Sequence, residues 1–410
     1  MPNHYDTIIV GLGAMGAAAA WQLAARGHRV LGLEQFSLIN SLGSSLGHTR
    51  MIRLAYYEHP DYVPLLRRAY DLWDQLELET SEKILYRTGG IYTGPPEGEV
   101  VPGCLRAARD HHLPHEHLSH TDLRKAHPLF QLPENYTGVW EPAAGFLLCE
   151  KALALFARRA LESGATLHAH EPVTHIDLRT DGVSITTPLD TYHAENVIFT
   201  AGAWTTQLLT DLNVPLTVTR QTLGWLWPQS PQNFALGHFP VWGIEQPAAQ
   251  SNTTHAGAER RELRDQSAAP DSSANQNAST TSLLYGFPML SDVPGLKLAR
   301  HAPGPTTDPD TVSRTPTADD RHEIQSIAHR YLPTAIGPTL SLRICLYTNS
   351  PDGHFILDHH PTHPRALIAA GFSGHGFKFA PVIGEILADL ATTNTTQHPI
   401  HFLNLNRFYP

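Results

Sequence analysis

Gly11, Gly13 and Gly16 constrain this chain more than any other residues. They follow an apolar, β-branched run, Tyr5 to Val10, and open an alanine-rich stretch, 14–26, that stops at Gly27. That order predicts a buried strand, a tight glycine turn and a helix. A second strand, His28 to Glu34, ends on an acid 23 residues beyond Gly11 (34 − 11). Each part has a use. The glycines let the turn close and let a diphosphate approach the backbone. The helix start offers free N–H groups to the phosphates, and the acid accepts hydrogen bonds from ribose hydroxyls. A Rossmann-like dinucleotide unit is therefore expected, and the motif alone leaves FAD and NAD both open.

The chain has 410 residues, which favours two domains over one. Its 29 basic and 39 acidic side chains give a formal charge of −10, with no long basic stripe, so nucleic acid is not an expected partner. Cys104, Cys149 and Cys345 are too few for a disulfide framework and point to a reducing, cytoplasmic setting. The N-terminus lacks a basic n-region, and no apolar run approaches the ~20 residues of a membrane span. A soluble protein with no membrane partner is expected.

Further along, helices are predicted over 60–79, 150–164, 322–331 and 377–391. Strands are predicted over Thr166 to Ile176, from Gly182 to Thr187, over Val197 to Gly202 and over Ala366 to Ala370. Residues 247–282 have almost no large apolar side chains and read as a mobile insertion between two strands. Histidine occurs 26 times, with clusters at His111, His112, His115, His117 and His120 and at His354, His359, His360 and His363. Neither cluster has a neighbouring cysteine or acid at ligand spacing, so both read as solvated and no metal is expected.

Two more segments carry candidate chemistry. Ser44 to Arg53 combines small residues with Arg50 and Arg53, three apart; on a helix or tight turn both guanidinium groups face one site and bind an anion. Gly371 to Phe379 places three glycines and Lys378 between a short strand and the last helix. That arrangement points N–H groups and a cation at a cofactor.

In order, the chain carries GLGAMG, GSSLGHTRMIRLAY, YVPL, ENYTGVWEPAAGFL, AGAW, YGFP, GLKL, CLYTNSPDGHF and AGFSGHGFKF. This series resembles the monomeric sarcosine oxidase and N-methyltryptophan oxidase family, from Tyr5 to about Arg407, outside the insertion. The resemblance implies FAD as cofactor, bonded covalently through Cys345. It implies cofactor contacts at Gly11, Gly13, Gly16, Glu34, Ser44, Ser45, Thr49, Arg50, Val173, Gly202, Gly374, Gly376 and Lys378. Arg53 and Lys378 match the residues that hold the substrate carboxylate. Lys297 matches the lysine at the flavin face where dioxygen is reduced, and Arg50 a basic residue beside the flavin. Tyr285, His301 and Tyr347 match residues of the substrate cavity. The segment also departs from the family pattern: Leu46 stands where the family has histidine, and His48 where it has aspartate.

The expectation is an α/β plus α+β flavoprotein with two domains. The FAD domain takes 1–90, 145–220 and 325–410, and an antiparallel-sheet substrate domain takes 91–144 and 221–324. Its expected reaction is oxidation of a small secondary amino acid, N-methyl or cyclic, by dioxygen, giving an imine and hydrogen peroxide. A monomer is expected. Two rivals remain: a dehydrogenase that passes electrons to a carrier, and an inactive flavoprotein that serves as a binding protein.

Overall fold

The computed structural model describes residues 3–212, 214–246 and 282–409. Two eight-stranded sheets and one three-stranded sheet organise it.

In the first sheet, His4–Val10 lies between Val30–Leu33 and Thr191–Phe199, parallel to both. Thr166–His168 extends one side in parallel, and His363–Ala370 pairs in parallel with Thr191–Phe199. Val183–Thr186, His175–Leu178 and Ile356–His360 are antiparallel additions. The parallel strands need covering on both faces, and their residues are correspondingly apolar and buried. Helix Ala14–Ala25 provides one cover and is itself buried, packed between helices Cys149–Glu162 and Ala380–Thr393. Its alanines allow that crowding: a Cβ on Gly384 would lie 2.6 Å from the backbone of Ala18.

The second sheet runs in the order Thr339–Asn349, Thr217–Leu226, Leu296–His301, Ser282–Gly286, Val241–Gln246, Gly90–Gly94, Thr137–Glu141, Glu116–Leu118. All neighbours are antiparallel except Val241–Gln246 beside Gly90–Gly94. Helix Ala318–Tyr331 covers one face, with Ile324 set against Gly224. Thr49–Ile52, Gly145–Leu148 and Leu85–Arg87 form the small third sheet.

Three sequence expectations change. The strand expected over Thr166 to Ile176 is two strands, Thr166–His168 and His175–Leu178, on different parts of the sheet. Between them His170 has φ of +59°, Pro172 has no N–H to give a ladder, and Glu171 turns inward to Thr187 and Tyr192. Helix Ala318–Tyr331 begins four residues earlier than expected, on a capping box of Thr317 and Asp320. The segment carrying Arg50 is a strand, not a helix or turn. Most of the expected mobile insertion, 247–281, lies outside the described residues; Ser282 is already the first residue of a strand, paired with Gln246. Among the described residues, no helix is long and apolar enough to cross a membrane.

Candidate active site

The first turn behaves as its glycines require. Gly11 has φ of +93°, and a Cβ there would sit 2.7 Å from the Thr200 carbonyl oxygen. A Cβ on Gly16 would lie 2.0 Å from the Gly11 carbonyl oxygen, so this glycine serves close packing of helix on turn. Gly13 caps the helix with its Cβ direction open; only Ser45 Oγ lies near, at 3.7 Å. Glu34 is buried. Its Oε2 accepts from Leu12 N at 2.9 Å and its Oε1 from Phe36 N at 3.0 Å. Burial pushes this carboxyl up, against the pull of those backbone donors.

From this turn an elongated cavity runs past Ser44, Ser45 and Arg50 to Tyr347 and the Gly371–Phe377 loop. Glu34, Val173, Gly202, Gly374 and Gly376 also line it. This shape and lining fit a dinucleotide: open backbone N–H groups and a buried acid at one end, glycines and a guanidinium at the other. Gly16, Thr49, Cys345 and Lys378 are behind or beside the lining. Cys345 is buried on strand Thr339–Asn349, which carries it from the second sheet to the cavity of the first. Its Sγ is 3.6 Å from Arg50 Nη2, and the next two residues, Leu346 and Tyr347, face the cavity. Ser44 fastens this junction by donating its hydroxyl to the Leu346 carbonyl at 2.7 Å.

Lys297 is nearly inaccessible, at 3% exposure. Its Nζ donates to Gly47 O and Thr49 O, both at 2.6 Å, and to Thr49 Oγ1 at 3.1 Å. Burial, then the charge of Arg50, lowers its pKa to about 7. The 47–49 loop is held on its other side by Glu150, which accepts from Gly47 N at 2.8 Å and from His48 N at 3.0 Å. The two departures from the family pattern fall in this loop region. Leu46 is buried in the main core, and His48 takes φ of +66° with its ring edge-on to Trp225.

Arg53 and Lys378 occupy a second buried group. Arg53 leaves the strand on the opposite course from Arg50. Its Nη2 lies 2.7 Å from both oxygens of Glu58, its Nη1 donates to Ala55 O at 2.8 Å, and the guanidinium rests over the Tyr56 ring at 4.4 Å. The two arginines therefore do not face one site as a fork. Burial would raise the Glu58 carboxyl, but Arg53, His375 and Lys378 outweigh it and hold the pKa at about 2. Lys378 Nζ donates to His375 O at 2.7 Å and reaches Tyr56 Oη at 3.4 Å. Burial and then Arg53 lower its pKa to about 7.

His375 Nε2 lies 3.0 Å from the Gly353 carbonyl and so carries the proton; its Nδ1 accepts from the Tyr56 hydroxyl at 2.6 Å. Burial keeps this imidazole neutral, with its pKa down at about 3. His301, lowered by burial to about 4, has Nδ1 3.5 Å from the Tyr347 hydroxyl, and Tyr347 is hydrogen-bonded in turn to Tyr285.

Glu58, Tyr56 and His375 were not singled out by the sequence. Glu58 stands in LAYYEHP, five residues after Arg53, where an acid usually marks a solvated turn. Only the observation that the neighbouring arginine is buried identifies it.

The family model for FAD dependent oxidoreductases matches residues 6–390. The chain is 39% identical to the monomeric sarcosine oxidase of Streptomyces avermitilis, over 99% of this chain and 98% of that protein. It is 33% identical to the N-methyl-L-tryptophan oxidase of Yersinia pestis, over 98% and 99%. Among solved structures, the open form of NikD, an unusual amino acid oxidase essential for nikkomycin biosynthesis, superposes with a TM-score of 0.79. It is 26% identical and covers 98% of this chain and 97% of that one.

Proposed function

Because the chain belongs to the FAD dependent oxidoreductase family and is an FAD-dependent amine oxidase, we propose that its substrate is a small secondary amino acid, N-methyl or cyclic. Dioxygen takes the electrons and leaves as hydrogen peroxide, and the imine hydrolyses in water to an aldehyde and an amine. One observation carries this reading: Arg53 and Lys378 are buried near each other, close enough that both act on the Glu58 carboxylate. A guanidinium and an ammonium brought together in a desolvated place can both pair with an amino-acid carboxylate.

FAD, when bound, accepts the hydride equivalent from the carbon beside the amine. The chain's own residues do the rest. Gly11, Gly13, Glu34, Ser44, Ser45, Thr49, Val173, Gly202, Gly374 and Gly376 hold the cofactor, with Gly16 keeping the turn in shape. Cys345 supplies a thiol for covalent attachment, and Arg50 beside it adds positive charge. Arg53 and Lys378 fix the carboxylate and so aim the reacting C–H bond. Tyr285, Tyr347 and His301 wall the substrate space; His301 is neutral and therefore does not repel a substrate amine. Lys297 stabilises negative charge as it develops on dioxygen.

The cofactor unit in this reading is 1–90, 145–220 and 325–410, and the substrate unit 91–144 and 221–324. The reading also takes the protein as a cytoplasmic monomer, in keeping with three unpaired, buried cysteines. The deciding experiment is a peroxide assay under air across sarcosine, bulkier N-methyl amino acids and cyclic imino acids, each paired with its neutral amide. Peroxide from the acids and little from the amides is the expected result. Flavin reduction without peroxide would instead favour a dehydrogenase, and no reduction at all a binding protein.

A further inference from the structure

The hairpin formed by Ile356–His360 and His363–Ala370 turns on only two residues, Pro361 and Thr362. So short a turn leaves His360 and His363 as directly paired residues, and their rings lie 5.1 Å apart. Asp211, from the distant turn after Thr205–Leu208, approaches the same point. One ligand atom from each of the three residues falls within a 4.8 Å cluster.

We propose that Asp211, His360 and His363 form a binding site for a divalent transition-metal ion of the zinc class. Zinc bonds of about 2.0–2.1 Å to nitrogen or oxygen, at tetrahedral angles, put adjacent ligand atoms about 3.4 Å apart. His360 Nε2 and the Asp211 carboxylate oxygens already stand at 3.4 Å. That is long for a charge-assisted hydrogen bond, which prefers about 2.7–2.9 Å, and correct for two ligands of one ion. The other ring nitrogen of His360 is oriented for this role. Nδ1 lies 3.2 Å from Thr362 Oγ1 and 3.4 Å from the Thr362 backbone N–H; with an ion on Nε2 the ring proton moves to Nδ1, and the hydroxyl accepts it. His363 has no hydrogen-bond partner for its ring among the described residues, so nothing competes for its lone pair.

Two imidazoles and a carboxylate suit zinc-class ions better than magnesium or calcium, which prefer all-oxygen sets. Asp211 is exposed, which gives the ion a path in and leaves a fourth position for water. The site lies outside the cofactor cavity: Leu208, three residues before Asp211, lines the cavity edge, and His363 is a strand's length from the glycine loop. His363 starts the strand whose far end meets Gly371, and seven residue steps of about 3.3 Å make roughly 23 Å. An ion there takes no part in amine oxidation. It ties the hairpin to the turn at Asp211, a link that the sequence hides because the acid lies 149 residues before His360.

The test uses the full chain with FAD bound, stripped with a chelator, desalted and titrated with zinc chloride in a calorimeter. Wild type is expected to bind one equivalent. His363→Gln and Asp211→Asn change partly or fully exposed groups and are each expected to bind at least tenfold more weakly, since losing even an outer partner costs about 10–100-fold. His359→Gln, in the same hairpin but bonded to the Pro364 carbonyl, is expected to bind like wild type. Zinc should also raise the Tm of wild type and His359→Gln but not of the other two. Flavin absorbance checks that every variant is folded. Absence of saturable binding in wild type overturns the proposal, as does binding that survives in His363→Gln and Asp211→Asn.

Discussion

Single residues carry the sharpest consequences. Cys345 lies in the junction that Arg50 and Ser44 build; Cys104 is buried against the Ala55 carbonyl and Cys149 at the start of helix Cys149–Glu162, both with pKa values raised to about 12, chiefly by burial. Acid precipitation of wild type should therefore carry the flavin down with the protein. Cys345→Ala should release it, and Cys104→Ala and Cys149→Ala should not. Lys297 has all three ammonium protons engaged with the 47–49 loop, so a purely structural role is a live competitor to the dioxygen role. Stopped-flow measurement of Lys297→Met separates them. Reoxidation slowed tenfold or more beyond reduction supports electrostatic assistance to dioxygen; equal losses reduce Lys297 to a loop anchor. For Lys378 the pH dependence has a definite sign. Its pKa near 7 means the ammonium dominates below neutrality and the amine above it. The Kd of a simple carboxylic acid without an amine should be flat below pH 7 and rise up to about tenfold per unit above it. Lys378→Met should flatten that profile and cost about 30-fold at pH 6, from a loss of about 2 kcal/mol. The sequence exposed Arg50, Arg53 and Lys378 because arginine and lysine amid small residues and glycines are conspicuous, and Lys297 only through the family resemblance. It hid Glu58, whose role exists only because Arg53 is buried.

At the scale of elements, legibility followed the range of the information. The strand–turn–helix–strand unit from His4 to Leu33 is encoded within about thirty residues, and it folds as read. Gly16→Ala tests how literally. The new Cβ would press on the Gly11 carbonyl and on Thr200 Oγ1, so helix and strand must separate at the phosphate end. A loss of roughly 1–3 kcal/mol, typical of overpacking, and less flavin per chain are expected by denaturant melting and absorbance. Where local signals conflict, the structure departs from the local pattern. The run from Thr166 to Ile176 looks extended throughout, yet Pro172 and the inward turn of Glu171 divide it between two strands. Arg50 and Arg53 suggested one helical face, but alternation along an extended chain sends them apart. The order of the second sheet was not readable at all. Nothing within Gly90–Gly94 announces that its parallel neighbour is Val241–Gln246.

Taken as a whole, the molecule brings remote segments together around the cavity and the buried groups next to it. Cys345 and Lys297 arrive on strands of the second sheet, Arg53 from the end of a small sheet, and Lys378 from the short turn Phe377–Phe379 just before the last helix. That assembly also brings Arg53 its own counter-ion. On the proposed function, Glu58, tethered five residues away, would compete with an incoming acid at an effective concentration on the order of millimolar or more. A visiting carboxylate must therefore do better than a resident one, and measured affinity is a difference between two ion pairs. Glu58→Gln removes the resident. Competition binding of the amine-free carboxylate should tighten several-fold, and neutral amides, which cannot displace Glu58 in wild type, should gain little. On the proposed function, the arginine rests already paired, and a carboxylate guest exchanges one ion pair for another.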